Sequence, residues 1–104
     1  MVDFGLATYA EICAEIGARL RAQRLAQRLT QQELAARAGV NVGTVKNLEK
    51  KIMTASLESI VRVALVLGLA DHLQPLFALQ TKSIAQMEQA EHAKRLRAPS
   101  RKAR

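Results

Sequence analysis

Residues 29–50, LTQQELAARAGVNVGTVKNLEK, constrain this chain more than any other stretch, because they encode two short helices joined by a turn through a single glycine. Thr30 can cap the first helix with its hydroxyl, and Glu33, three residues on, can reach back to the Thr30 amide, which together make a capping box. Leu34, Ala35 and Ala38 then fall at helical spacing on one side, leaving Gln31, Gln32 and Arg37 to face outward. Gly39 ends the helix, since a left-handed residue after the last turn is least strained without a Cβ. Val40 supplies an apolar anchor and Asn41 a favoured cap for the second helix, whose Val45 and Leu48 form a buried i,i+3 edge. Helices this close need a small residue where they cross, and Ala35 provides one. The second helix is left projecting, with Val42, Gly43, Lys46, Asn47 and Lys50 on its other face.

The flanking segments read as further helices. Ile12, Ile16 and Leu20 recur every four residues and predict one edge of a preceding helix, with Arg19, Arg21 and Arg28 decorating the remainder. Ser56 is expected to cap a fourth helix that buries Leu57, Ile60, Val61, Ala64 and Leu67 and closes at Gly68. Asp71 is expected to cap a short fifth helix with Pro75 near its first turn. Leu73, Leu76, Phe77 and Leu79 gather more apolar surface there than five small helices need, which marks them as the expected dimer contact.

Together these segments resemble a known family. Residues 29–50, with 57–76 behind them, are similar to the phage repressor and Cro regulators, the Xre-type family, over about residues 10–79 and without a gap through the motif. The resemblance implies an all-α, five-helix DNA-binding domain over 1–79, whose second motif helix lies in the major groove while the start of the first contacts phosphates. Carried over by position, Asn41, Val42, Gly43, Lys46 and Asn47 would face the bases, Thr44, Lys50 and Lys51 would reach the backbone, and Gln31 would clamp a phosphate or a base at the edge of the half-site. Arg24 and Glu49 occupy positions where the family often pairs an arginine with a glutamate to orient the reading helix. The chain departs from the family pattern in two ways. Val42 and Gly43 stand where polar readers are common, which shifts direct readout onto Lys46 and Asn47, and Arg28 and Lys51 stand where a glycine commonly follows a helix. Since one reading helix covers only a few base pairs, a two-fold dimer on an inverted repeat is the expected assembly.

Charge divides the chain unevenly. Residues 1–80 hold nine Lys or Arg against seven Asp or Glu, a net of +2, whereas residues 81–104 hold seven against two, a net of +5. The segment 80–104 therefore reads as a basic C-terminal extension, part helical or flexible, with six of its seven cations, Lys94, Arg95, Arg97, Arg101, Lys102 and Arg104, in a run that holds no acidic residue. It could contact DNA phosphates or could simply be a solvated tail, and composition does not choose between these. A helix over residues 83–96 with Ile84, Met87 and Leu96 on one side would have a thin apolar stripe and would be marginal alone. It could order on a partner or on the second subunit, or remain a fraying extension.

Other chemistries find little support. A lone cysteine, Cys13, allows neither an intramolecular disulfide nor a cysteine-rich metal site, and His72 and His92 stand twenty residues apart without supporting ligands, so no metal is expected. No Gly-rich phosphate loop, paired carboxylates or Ser/His/Asp set can be assembled, so neither catalysis nor a cofactor is expected. With no apolar run near the length of about 18 residues that a membrane span requires and no signal-peptide pattern, the expected compartment is the cytoplasm. The sequence reading is thus a homodimeric, sequence-specific DNA-binding repressor. An alternative is the antitoxin of a type II module, partner to a HipA-type kinase, which the chain resembles in size and layout. An architectural DNA-binding protein with little sequence preference, a helical hairpin in an unrelated bundle and a helix-turn-helix domain used only for protein contacts are further readings.

Overall fold

The computed structural model describes residues 2–50, 52–79 and 84–97. These contain α1 (Tyr9–Ala26), α2 (Gln31–Ala38), α3 (Val42–Lys50), a 3-10 turn (Ile52–Thr54), α4 (Leu57–Val66), α5 (Ala70–Leu73) and α6 (Ile84–Arg97), with no strand among the described residues. Among the described residues five of the α-helices lie within 1–79 and the sixth, α6, lies in the C-terminal extension. Lys51 and residues 98–104, including Arg101, Lys102 and Arg104, lie outside the described residues.

Local chemistry sets the helix ends. Thr30 and Glu33 form the expected capping box, Glu33 N donating to Thr30 Oγ1 at 3.0 Å and Thr30 N to Glu33 Oε1 at 2.8 Å. Glu33 is held below the usual carboxylate range, first by the Thr30 amide and then by its hydroxyl. The same box opens α1, where Thr8 and Glu11 exchange bonds of 2.8 and 3.2 Å. The Thr-x-x-Glu spacing at 8–11 is legible in the sequence, though the apolar spacing alone starts the helix near Ile12.

Helices α1, α2 and α4 each end in a Schellman turn. At α1, Leu29 N donates to Arg24 O and Arg28 N to Leu25 O. At α4, Leu69 N donates to Ala64 O and Gly68 N to Leu65 O, and at α2, Val40 N donates to Ala35 O and Gly39 N to Ala36 O. Gly39 takes φ 69°, as its lack of Cβ permits. Arg28 takes φ 58° despite its side chain, so the left-handed turn expected of a glycine is present at a strain cost of about 1–2 kcal/mol. Arg28 accordingly belongs to the turn and does not decorate the helix.

The core gathers Leu20, Leu29, Leu34, Ala35, Ala38, Val45, Leu48, Ile52, Val63, Ala64, Leu67 and Leu69, with Leu34, Leu48, Val45 and Val63 fully buried. Each of these four side chains contributes about 1.5–3 kcal/mol by leaving water. Around the core, α1 packs on α3 and on the 3-10 turn, α2 on α3 and α4, and α4 on α5. Gln27 Nε2 donates to Leu67 O at 2.7 Å, tying the end of α1 to the end of α4.

Four expectations are corrected. The inner stripe of α1 runs through Cys13, Ile16, Gly17, Leu20 and Arg24: Ile16 and Leu20 face the core as expected, but Cys13 takes the place of Ile12, because the face that turns Gly17 and Arg24 toward α3 passes through position 13. Leu57 is 70% exposed and Val63 takes its place in the core, since Leu57 is the first residue of α4 while Ile60, Val63, Ala64 and Leu67 form the inward face; Ile60 and Val61 are only half-buried. Asp71 does not cap α5: Leu69, which closes the turn after α4, also opens α5, its carbonyl accepting from His72 N and Leu73 N. Pro75 follows α5 instead of opening it, for α5 ends at Leu73 with Gln74 as its C-cap.

Candidate nucleic-acid interface

Helix α3 is anchored on one side and free on the other. Val45 and Leu48 have no exposed surface, and Glu49 is 8% exposed. Asn41, Lys46, Asn47 and Lys50 are exposed, whereas Val42, Gly43 and Thr44 are half-buried and Val42 packs against the core. The residues expected to face bases therefore divide between an outer set, Asn41, Lys46 and Asn47, and an inner pair, Val42 and Gly43. Asn41 also fixes the first turn of α3, its Oδ1 accepting from the Gly43 amide at 2.7 Å and its carbonyl from Thr44 N.

A buried ion pair ties this helix to α1. Arg24 is 6% exposed; its Nε donates to Glu49 Oε2 at 2.6 Å and its Nη2 to Glu49 Oε1 at 3.0 Å, a two-point fork that fixes distance and plane together. The remaining nitrogen, Nη1, donates to Leu29 O at 2.7 Å in the turn before α2. The hydrogen bond and charge of Glu49 raise the Arg24 pKa against the opposing effect of burial, so the guanidinium stays charged. Gln31 completes the network, its Nε2 donating to Glu49 Oε1 at 3.2 Å. Gln31 is thus half-buried rather than turned fully outward. The arrangement links α1, α2 and α3 through one carboxylate, and no buried side-chain polar atom among the described residues lacks a partner.

The C-terminal end of α2 faces another cation. Arg62 Nε donates to Glu58 at 2.9 Å, and its Nη1 approaches the Ala38 carbonyl at 3.4 Å beside the Gly39 turn. Sequence reasoning missed this contact, which joins α4 to the turn between α2 and α3. A second residue it missed is Gly17, buried in α1 against the last turn of α3.

Beyond α5, Leu76, Phe77 and Leu79 are 50%, 95% and 100% exposed, while Leu73 is half-buried against the core. A shallow, open groove is lined by Leu65, Ala70, Leu73 and Gln74.

Helix α3 thus buries its anchors and projects amide and ammonium side chains. The helix-turn-helix family matches residues 20–71, a span running from the second half of α1 into α5. The chain belongs to that family, in its Xre/Cro-like form, whose members are DNA-binding regulators of transcription. No curated protein sequence matches the chain. No helix among the described residues is long and apolar enough to cross a membrane.

Proposed function

We propose that this protein is a homodimeric, cytoplasmic repressor that recognises an inverted-repeat operator, its own promoter among the candidates, by laying α3 in the major groove. The observation that carries the proposal is the two-sidedness of α3: Val45, Leu48 and Glu49 are locked into the domain while Asn41, Lys46, Asn47 and Lys50 project from it. An asparagine amide can bond the N6 and N7 edge of adenine, and a lysine can donate to the O6 and N7 acceptors of guanine. Gln31, Thr44, Lys50 and Lys51 are assigned to the phosphates flanking the half-site, where contacts fix register without reading sequence. Val42 and Gly43 are assigned to close apolar approach.

The dimer contact is assigned to Leu73, Leu76, Phe77 and Leu79. Three of these are at least half exposed, and Phe77 holds an apolar ring in solvent at φ 59°, a backbone conformation unusual for a bulky residue. A domain of 1–79 with an extension of 80–104 remains the proposed division. Size and layout are all that favour the second reading, a toxin-neutralising partner of a HipA-type kinase; it requires residues 78–104 for neutralisation and not for operator binding.

The test is fluorescence anisotropy on the promoter duplex upstream of the gene and on a scrambled duplex. Asn47→Ala or Lys46→Ala should weaken promoter binding by about 1–3 kcal/mol with unchanged thermal unfolding. Unchanged promoter affinity in both variants contradicts the assignment of the reading face.

A further inference from the structure

Gly17 is buried in the interior of α1, a position where glycine weakens a helix relative to alanine. Its surroundings give the reason. A Cβ built on Gly17 would overlap the Leu48 carbonyl oxygen and stand 3.0 Å from the Glu49 carbonyl oxygen and 3.2 Å from its carbonyl carbon. All three are main-chain atoms of the last turn of α3, so no rotamer change removes the overlap. Two turns further along α1, Arg24 grips the side chain of the same Glu49. Helix α1 therefore holds the end of α3 twice, backbone against backbone at Gly17 and fork against carboxylate at Arg24.

We propose that Gly17 is a positioning residue for DNA reading: by letting the two backbones touch, it sets the tilt at which α3 presents Lys46 and Asn47. The inference rests on the proposed reading of α3 as the groove helix. To accept a Cβ, the last turn of α3 must retreat by about 1 Å to reach ordinary van der Waals contact. With Val45 held in the core as the pivot, the carbonyls of Leu48 and Glu49 lie only about 5–6 Å along the axis, so that retreat is a tilt of roughly 10°. Hydrogen bonds to base edges tolerate only about 0.5 Å between optimum and loss, so such a tilt misplaces the outer side chains without touching them.

The experiment compares Gly17→Ala with the wild-type chain and with Ala18→Gly, an exposed neighbour that changes helix propensity without facing α3. Helix propensity alone would make Gly17→Ala more heat-stable. The proposal predicts a lower Tm, amide shifts in a 1H–15N spectrum that extend beyond Leu48 and Glu49 to Thr44 and Lys46, and promoter affinity about tenfold weaker well below the Tm. Affinity for the scrambled duplex, which depends on phosphate contacts, should change less than about twofold. A purely structural role would lower the Tm and leave the affinity of the folded protein intact. A raised Tm, shifts confined to the point of contact, or unchanged promoter affinity overturns the proposal. If the wild-type chain binds both duplexes alike, the reading of α3 fails, and the Tm and amide shifts still decide whether Gly17 sets its position. Should Gly17→Ala fail to fold, the same measurements are made with Arg28→Gly added to relieve the turn after α1; failure to fold there too would make Gly17 a requirement of folding and overturn the positioning role.

Discussion

Replacing Arg24 with methionine keeps an unbranched stem as far as the position of Nε while removing three hydrogen bonds, two to Glu49 at 2.6 and 3.0 Å and one to Leu29 O at 2.7 Å. Glu49 would be left 8% exposed in the present packing with only the neutral Gln31 amide at 3.2 Å. Stranding one partner of a buried pair costs about 3–5 kcal/mol, mostly because the remaining charge has lost both water and counter-charge. Against the roughly 5–15 kcal/mol that holds a domain of this size together, that is a large fraction. Replacing both partners, Arg24→Met with Glu49→Leu, removes the stranded charge and leaves chiefly the Leu29 carbonyl short of a donor, a deficit of about 1–3 kcal/mol. The double variant should therefore be more stable than Arg24→Met alone, even though it carries one more substitution. Urea titration followed by far-UV circular dichroism on both single variants and the double closes the cycle. A cost under about 1 kcal/mol for Arg24→Met, the behaviour of exposed ion pairs, would refute the burial of the pair, and single costs that simply add in the double would refute its coupling.

Five further outcomes rest on particular residues. Arg28→Gly relieves a left-handed residue with a side chain and should stabilise by about 1 kcal/mol, read as a rise in the urea midpoint, while Gly39→Ala should destabilise by a similar amount or more because φ 69° and the nearby Arg62 both oppose a Cβ. Because Glu33 titrates lower in the folded chain than in the unfolded one, its contribution is present above the ordinary carboxylate pKa and is lost as pH falls through the folded value; Glu33→Gln should flatten that acid limb of the urea midpoint. Phe77→Asp should shift the species seen by analytical ultracentrifugation from dimer to monomer without lowering helix content. Deleting residues 98–104, which carry Arg101, Lys102 and Arg104, should reduce the slope of log affinity against log salt by up to about 3 if the extension touches phosphates, and leave it unchanged if the tail is merely solvated.

What the sequence disclosed is what short-range chemistry decides. The Thr30 and Glu33 box, the Gly39 turn and the buried Val45 and Leu48 edge each depend on residues within a few positions of one another, and each stands in the structure as the spacing predicts. The pairing of Arg24 with Glu49 was reachable only through resemblance, because twenty-five residues separate the partners. Asp71 and Pro75 were misplaced because the start of α5 depends on how α4 ends: Leu69 serves both helices, and no side-chain cap is used. Leu57 misled because it continues the apolar periodicity of α4 yet falls at its first turn. Gly17 was passed over since its meaning lies in the carbonyls of Leu48 and Glu49, distant in the chain.

The most direct test of the account is selection of binding sites from a random duplex library with the purified full chain, repeated with Asn47→Ala and Lys46→Ala. The account predicts an enriched inverted repeat whose half-sites are centred about 34 Å apart, one helical turn, with the preference at individual base pairs relaxed in each variant. A selection that enriches no motif, or the same motif undiminished in both variants, would contradict the claim that α3 reads DNA sequence.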